Sequence, residues 1–333
     1  MTDGTVAPWI AAQSEALLAQ RGHAWLLAGP SGLGQYDLAL SMAQAWLCEK
    51  PSGLGACGDC GSCHAVKVRT HADLCVLMPE TVMLDLGWPL SESAQSDIDE
   101  KRRKASKEIR VEAMREAIEF AQRTSARGRG KAVLVYPAER MNVVSANALL
   151  KTLEEPPGEV RFVLASEAVH QLPATVRSRC QIHTMRWPSV DASLAWLQRH
   201  GLNEEHARVM LRACGGRPQD AAQSFHNGTD ALSWVKLPRA LAAGDLSVLK
   251  DWSLSQIVDA LQKLCHDMLA LRAGAGPRFF AADELPAGGS IASLTHWART
   301  LATSRRTVEH PLNAGLMMEA LVSQAQNALN SPH

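Results

Sequence analysis

The 333-residue sequence has no net charge, because Lys+Arg and Asp+Glu are both 34. Without a basic surplus, the chain is not expected to bind nucleic acid by itself through a dominant positive surface. No apolar run approaches membrane-spanning length. The opening stretch lacks both a basic n-region and a long apolar core, so no secretory leader is expected and the expected location is the cytoplasm. Internal repeats and low-complexity tracts are also missing. Eight cysteines in such a chain are expected as free thiols or metal ligands rather than disulfides. What remains is an ordinary globular balance, 46% apolar and 20% charged, in a chain long enough for two or three domains.

Four short apolar runs, "AWLLA" (24–28), "LCVLM" (74–78), "AVLVY" (132–136) and "RFVLA" (161–165), read as buried strands of a parallel sheet. Helical patterns lie between them, over Val111–Arg123 and Ser145–Leu153, the second stopped by Pro156-Pro157. This alternation implies an α/β layer fold. Between Pro79 and Glu108 apolar periodicity fails, and "DIDEKRRKASKE" runs from acidic to basic. A mobile surface loop is expected there, with a nucleic-acid patch at Lys101–Lys104 as the lesser alternative. After Trp187-Pro188 the pattern is helical: 190–200, 204–213 with Asn203 as cap, a third helix from about Gln219, and further helices from about Leu232. The final stripe of Leu316-Met317, Ala320-Leu321, Ala325 and Ala328-Leu329 is amphipathic.

The turn after the first strand, "GPSGLGQY" (29–36), has the frame of a phosphate-binding loop, G-x-x-x-x-G-K-[ST], without its two chemical side chains. Gly29, Gly32 and Gly34 keep the backbone cradle. Gln35 stands where a lysine would neutralise phosphate, and Tyr36 where a small hydroxyl would ligate magnesium. The strand "KAVLVY" continues into Pro137 rather than into an acidic pair, and Glu139 lies beyond the strand end. Backbone donors alone would hold a phosphate weakly and would not support magnesium-dependent hydrolysis. The alternative is a glycine turn that never bound phosphate.

Cys48, Cys57, Cys60 and Cys63 follow a C-x8-C-x2-C-x2-C spacing among glycines. Such hooks bring four thiolates around one tetrahedral ion, and no residue suggests an open catalytic position, so a structural Zn2+ is expected. An iron–sulfur cluster is the alternative, and a redox role would leave two cysteines unused. His64 is a strained replacement ligand. Cys75, Cys180, Cys214 and Cys265 read as small buried side chains.

The run "NALLKTLEEPP" (147–157) resembles the clamp-loader ATPases of the AAA+ superfamily, and "LPATVRSRCQ" carries their S-R-C motif as Ser178-Arg179-Cys180. The segments "CHAVKVRTHADL" (63–74) and "IRVEAMRE" (109–116) resemble the bacterial branch. The resemblance is strong over roughly Trp25–Cys180 and architectural beyond. It implies an α/β AAA+ P-loop NTPase-like domain over 1–184, including the zinc module, then a small helical lid over 185–228 and an all-α collar over 229–333. Together with the losses at Gln35, Tyr36 and Tyr136-Pro137, it points to the ATPase-inactive branch of the family. No bound ATP and no intrinsic activity are therefore expected. The lid's sensor arginine falls on Gln219, with Arg217 nearby.

The same resemblance implies that Arg179 is an arginine finger offered in trans to ATP on a neighbouring subunit, with Ser178 and Cys180 shaping the turn. Arg177 is the nearest competitor, and an ordinary structural arginine paired with a carboxylate is the bland alternative. Implied partners are gamma/tau-type ATPase subunits, the delta subunit and, through the complex, the sliding clamp and primed DNA, within a DNA polymerase III holoenzyme. Two other functions compete: an active AAA+ NTPase using Gln35 in an unusual way, and a free-standing zinc nucleic-acid binder. The second suffers from the zero net charge.

Overall fold

The computed structural model describes residues 6–307 and 314–332. It divides into two units, one ending at Pro188 and the other beginning at Ser189.

The first unit is an α/β layer. In chain order it comprises α1 (Pro8–Leu18), β1 (Ala24–Ala28), α2 (Gln35–Leu47), α3 (Gly61–Lys67), β2 (Leu74–Leu77), α4 (Glu80–Asp85), α5 (Glu92–Asp99), α6 (Val111–Gln122), β3 (Lys131–Val135), α7 (Val143–Glu154), β4 (Val160–Ser166), α8 (Ala174–Arg177) and β5 (Gln181–Thr184). The strands form one sheet in the order β2-β3-β4-β1-β5, and every pairing is parallel. All residues of β1 and β3 are buried, which is why, apart from Lys131 at the start of β3, those strands read as unbroken apolar runs rather than alternating ones. Leu26, Val133, Phe162 and Leu164 join Met114, Leu149 and Leu153 from α6 and α7 in the main core. The parallel register aligns Ala28 with Ser166 and Thr184. The loop after β1 therefore leaves from the carboxyl edge of the sheet, where α/β folds bind ligands.

Pro79–Glu108 differs from the mobile loop expected of it. It holds α4 and α5, and the order comes from polar anchoring rather than apolar periodicity. Arg103 grips Glu80 with both Nη atoms, at 2.5 and 2.8 Å, and the Ser106 N–H donates to the same carboxylate at 2.7 Å. Ser91 caps α5 by accepting from the Ala94 N–H at 3.3 Å. Within the Lys101–Lys104 stretch, Arg102 pairs with Glu100 at 2.5 Å, so much of its charge is matched internally.

The second unit is helical: α9 (Val190–Arg199), α10 (Glu204–Ala213), α11 (Pro218–His226), α12 (Ala231–Ala243), α13 (Leu254–Arg272), α14 (Ile291–Thr307) and α15 (Ala314–Leu329). Leu237, Leu261, Leu264, Trp297 and Leu329 build its core, and Ala213 of α10 joins them. From Leu321 onward the apolar stripe of α15 is spent on this core, whereas Leu316 is exposed. Trp234 stacks on Phe280 at 4.7 Å. The chain at Arg278–Phe280 is fixed by Asp267, whose fully buried carboxylate accepts from three successive backbone N–H groups at 2.7–2.9 Å. No described helix is long and apolar enough to cross a membrane.

Candidate functional site

The phosphate-loop frame sits between β1 and α2. Gly32 (φ 76°) and Gly34 (φ 93°) take the left-handed conformation that lets the chain turn into the helix. Gly29 is held for a different reason, since a Cβ there would lie 2.9 Å from Cβ of Met185. Gln35 is 2% exposed. Its Nε2 amide turns back into the loop and donates to the carbonyls of Gly29 at 2.7 Å and Pro30 at 2.6 Å. Both amide hydrogens are thereby used. From the other side, the Trp9 indole N–H donates to the Leu33 carbonyl at 3.0 Å. Where a working loop would present a cation to phosphate, this loop is closed on itself.

The second lost position is also built over. The chain has only two tyrosines, and Tyr36 and Tyr136 face each other with ring centroids 5.5 Å apart. The Tyr36 hydroxyl accepts from the Trp88 indole at 2.7 Å, and the Tyr136 hydroxyl donates to Glu167 at 2.9 Å. Burial raises the pKa of both phenols, with Glu167 next in importance for Tyr136, so both stay neutral. Glu139 turns to the backbone, accepting from the Glu167 N–H at 3.1 Å. Trp9, Trp88 and Glu167 were not legible as participants, because each reaches the loop or the tyrosine pair from a distant segment.

Arg179 lies just beyond α8. Its Nη2 pairs with Glu154, the last residue of α7, at 2.6 Å, and Nη1 donates to the Thr175 carbonyl at 2.9 Å. Ser178 Oγ also donates to Thr175, at 3.2 Å. Cys180 packs on the sheet's core, and burial pushes its thiol up to about 12. In the second unit, Arg217 donates through Nε to the Cys214 carbonyl at 2.8 Å and pairs with Asp220 at 3.0 Å.

The four clustered cysteines converge. All four sulfurs lie within 4.8 Å of one another, with Cys48–Cys57 at 3.5 Å and Cys48–Cys60 and Cys57–Cys63 both at 3.9 Å. A tetrahedral ion with bonds of about 2.3 Å would space its sulfurs by about 3.8 Å, so the donor set fits one metal ion. Local folding prepares it. Cys48 caps the end of α2, and Cys60 caps the start of α3 by accepting from the Cys63 N–H at 3.4 Å. Gly58 (φ 82°) turns the chain between them. Glu49 ties the module to its surroundings through the Ser62 N–H at 3.0 Å and Arg127 at 3.0 Å. Burial, a bond from Cys60 and the nearby Cys48 push Cys63 up to about 12. Burial works against ionising Cys60 too, but backbone N–H donors from Cys63 and Glu49 outweigh it and bring that thiol down to about 6. A metal ion held here would take its sulfur ligands as thiolates. His64 is exposed and lies outside the group.

A parallel five-stranded sheet, a phosphate-type loop sealed by its own side chains, and a helical second unit define an AAA+ P-loop NTPase-like protein. The family described as "DNA polymerase III, delta subunit" matches residues 11–188. The chain is 38% identical over 269 residues to DNA polymerase III subunit delta' of Pseudomonas aeruginosa, covering 75% of each chain. It is 30% identical over 277 residues to the subunit of the same name from Escherichia coli K12, covering 77% of this chain and 76% of that one. The chain belongs to the DNA polymerase III delta-prime subunit family. The crystal structure of a DNA polymerase III gamma subunit-related protein from Thermotoga maritima shares the fold, with a TM-score of 0.50 at 15% identity, covering 97% of this chain and all of that one.

Proposed function

We propose that the chain is a clamp-loader subunit of a DNA polymerase III holoenzyme that binds and hydrolyses no ATP itself. It helps load the sliding clamp onto primed DNA by offering Arg179 to the ATP of a neighbouring gamma/tau-type subunit, with the delta subunit as a further partner. The observation that carries this reading is the loop turned inward: Gln35 spends its amide on Gly29 and Pro30, and Tyr36 and Tyr136 stand where metal ligands would be. An arginine contributed across a subunit boundary needs no nucleotide in its own chain, since it acts on charge developing on the transferred phosphoryl group. Within this reading Ser178 and Cys180 fix the turn. Residues 185–228 act as a lid and 229–333 as the collar that holds the assembly together.

The cysteine module is proposed to hold a structural Zn2+ through Cys48, Cys57, Cys60 and Cys63. The ion would neutralise the four sulfurs and brace the first unit's surface, and no reaction step passes through it. The test is Arg179→Ala in the reconstituted complex. DNA-stimulated ATPase should fall by about a thousandfold or more, the scale of a lost arginine finger. An unchanged rate would sink the reading.

A further inference from the structure

Within its own chain Arg179 is already held, and what holds it has a consequence for a finger. We propose that Glu154 is a positioning residue for Arg179, keeping the guanidinium docked until phosphoryl oxygens on a neighbouring chain take over the same donors. This rests on the reading of Arg179 as a finger in trans.

A guanidinium offers five N–H groups in a planar fork. Here Nη2 is given to Glu154 at 2.6 Å and Nη1 to the Thr175 carbonyl at 2.9 Å, while Nε is buried and has no partner. The two Nη atoms, the part of the fork that reaches outward, are therefore both engaged, one by the end of α7 and one by α8. Each Nη keeps a second N–H, but a phosphate that takes over the Nη2 donor given to Glu154 must displace the carboxylate. That exchange is feasible because the pair is open to water: the Arg179 side chain is 27% exposed and that of Glu154 53%. Pairs of such exposure contribute little, and a phosphoryl group with more charge and two acceptors competes well. Glu154 also closes α7, where the helix end carries partial negative charge, so the helix gives a carboxylate there no support. Its pairing with Arg179 is what the position offers. Arg177, two residues earlier, has no carboxylate partner among the described residues and provides an internal reference.

Two measurements test the assignment. In the full isolated chain, phenylglyoxal modification followed by peptide mass spectrometry reads how free each arginine is. Glu154→Gln should speed modification of Arg179 by roughly two- to fivefold relative to Arg177, the scale of a half-exposed ion pair. Equal relative rates in the two proteins would overturn the docking. In the reconstituted complex, Glu154→Gln should raise kcat/KM for ATP by a similar roughly two- to fivefold, and should change nothing once Arg179→Ala is present. A fall in kcat/KM, or an effect that persists without Arg179, would overturn the hand-over to phosphate. If Arg179→Ala alone leaves the ATPase untouched, the finger reading fails and the hand-over fails with it. The modification rates still decide whether Glu154 docks the guanidinium.

Discussion

Restoring the missing lysine, Gln35→Lys, should damage the loop rather than revive it. Gln35 is 2% exposed and donates to the Gly29 and Pro30 carbonyls at 2.7 and 2.6 Å. Losing two side-chain to backbone bonds costs about 2 kcal/mol at ~1 kcal/mol each. Lysine lacks the amide geometry that reaches both carbonyls, and its ammonium would be a charge at a buried position. For a unit of this size, about 2 kcal/mol corresponds to a fall in Tm of about 4–8 °C. Thermal unfolding by circular dichroism measures it, and amide exchange at Gly32–Tyr36 should accelerate in parallel. A variant that melts with the wild type and gains micromolar Mg-ATP affinity would refute the claim that the loop is closed from within.

Two further outcomes follow from the first unit. Purified under reducing conditions, the chain should carry one zinc by elemental analysis. Cys60→Ser, or a strong chelator, should lower both the metal content and the Tm, since binding to an unformed site is coupled to folding; iron in place of zinc would contradict the assignment. Asp73 is fully buried and accepts from Ser125 Oγ at 3.0 Å and from the Ala126 and Arg127 N–H groups at 2.7 and 2.8 Å, with Lys131 3.9 Å away. Burial opposes its charge, but these donors win and hold its pKa below the usual carboxylate value. Its stabilisation is therefore full above the unfolded carboxylate range and lost as pH falls through the lower, folded value. Asp73→Asn should cost about 3 kcal/mol near neutrality in denaturant titrations, and should flatten the acid limb of the stability profile.

Much of the architecture was legible because it rests on buried apolar runs. β1 to β4 are short stretches dominated by apolar residues, mostly Leu, Val and Ala, and α6 and α7 repeat their apolar residues at helical spacing. β5 was not, because "QIHT" is short and three of its four residues are exposed. Nor were α4 and α5, where order depends on Glu80 meeting Arg103 across 23 residues. At the loop, the absence of a lysine and of a small hydroxyl was plain from the residue types alone. What replaces them was not: the inward turn of Gln35 is a side-chain choice made within the loop, and the facing tyrosines and the Trp88 bond are contacts between segments that no spacing rule brings together. The four cysteines were the easiest to read, since their ligand atoms lie within 16 residues of chain. The pairing of Arg179 with Glu154 lies at the other extreme. Glu154 sits inside the "NALLKTLEEPP" run, 25 residues before its partner, and nothing in that run names the arginine.

The most direct test of a chain that lends chemistry without housing a nucleotide is a calorimetric titration of the isolated protein with Mg-ATP. The sealed loop predicts no saturable heat up to about 1 mM ligand, the weak end of the affinity scale, and the same result without magnesium. A one-to-one isotherm with a micromolar Kd that requires magnesium would contradict it.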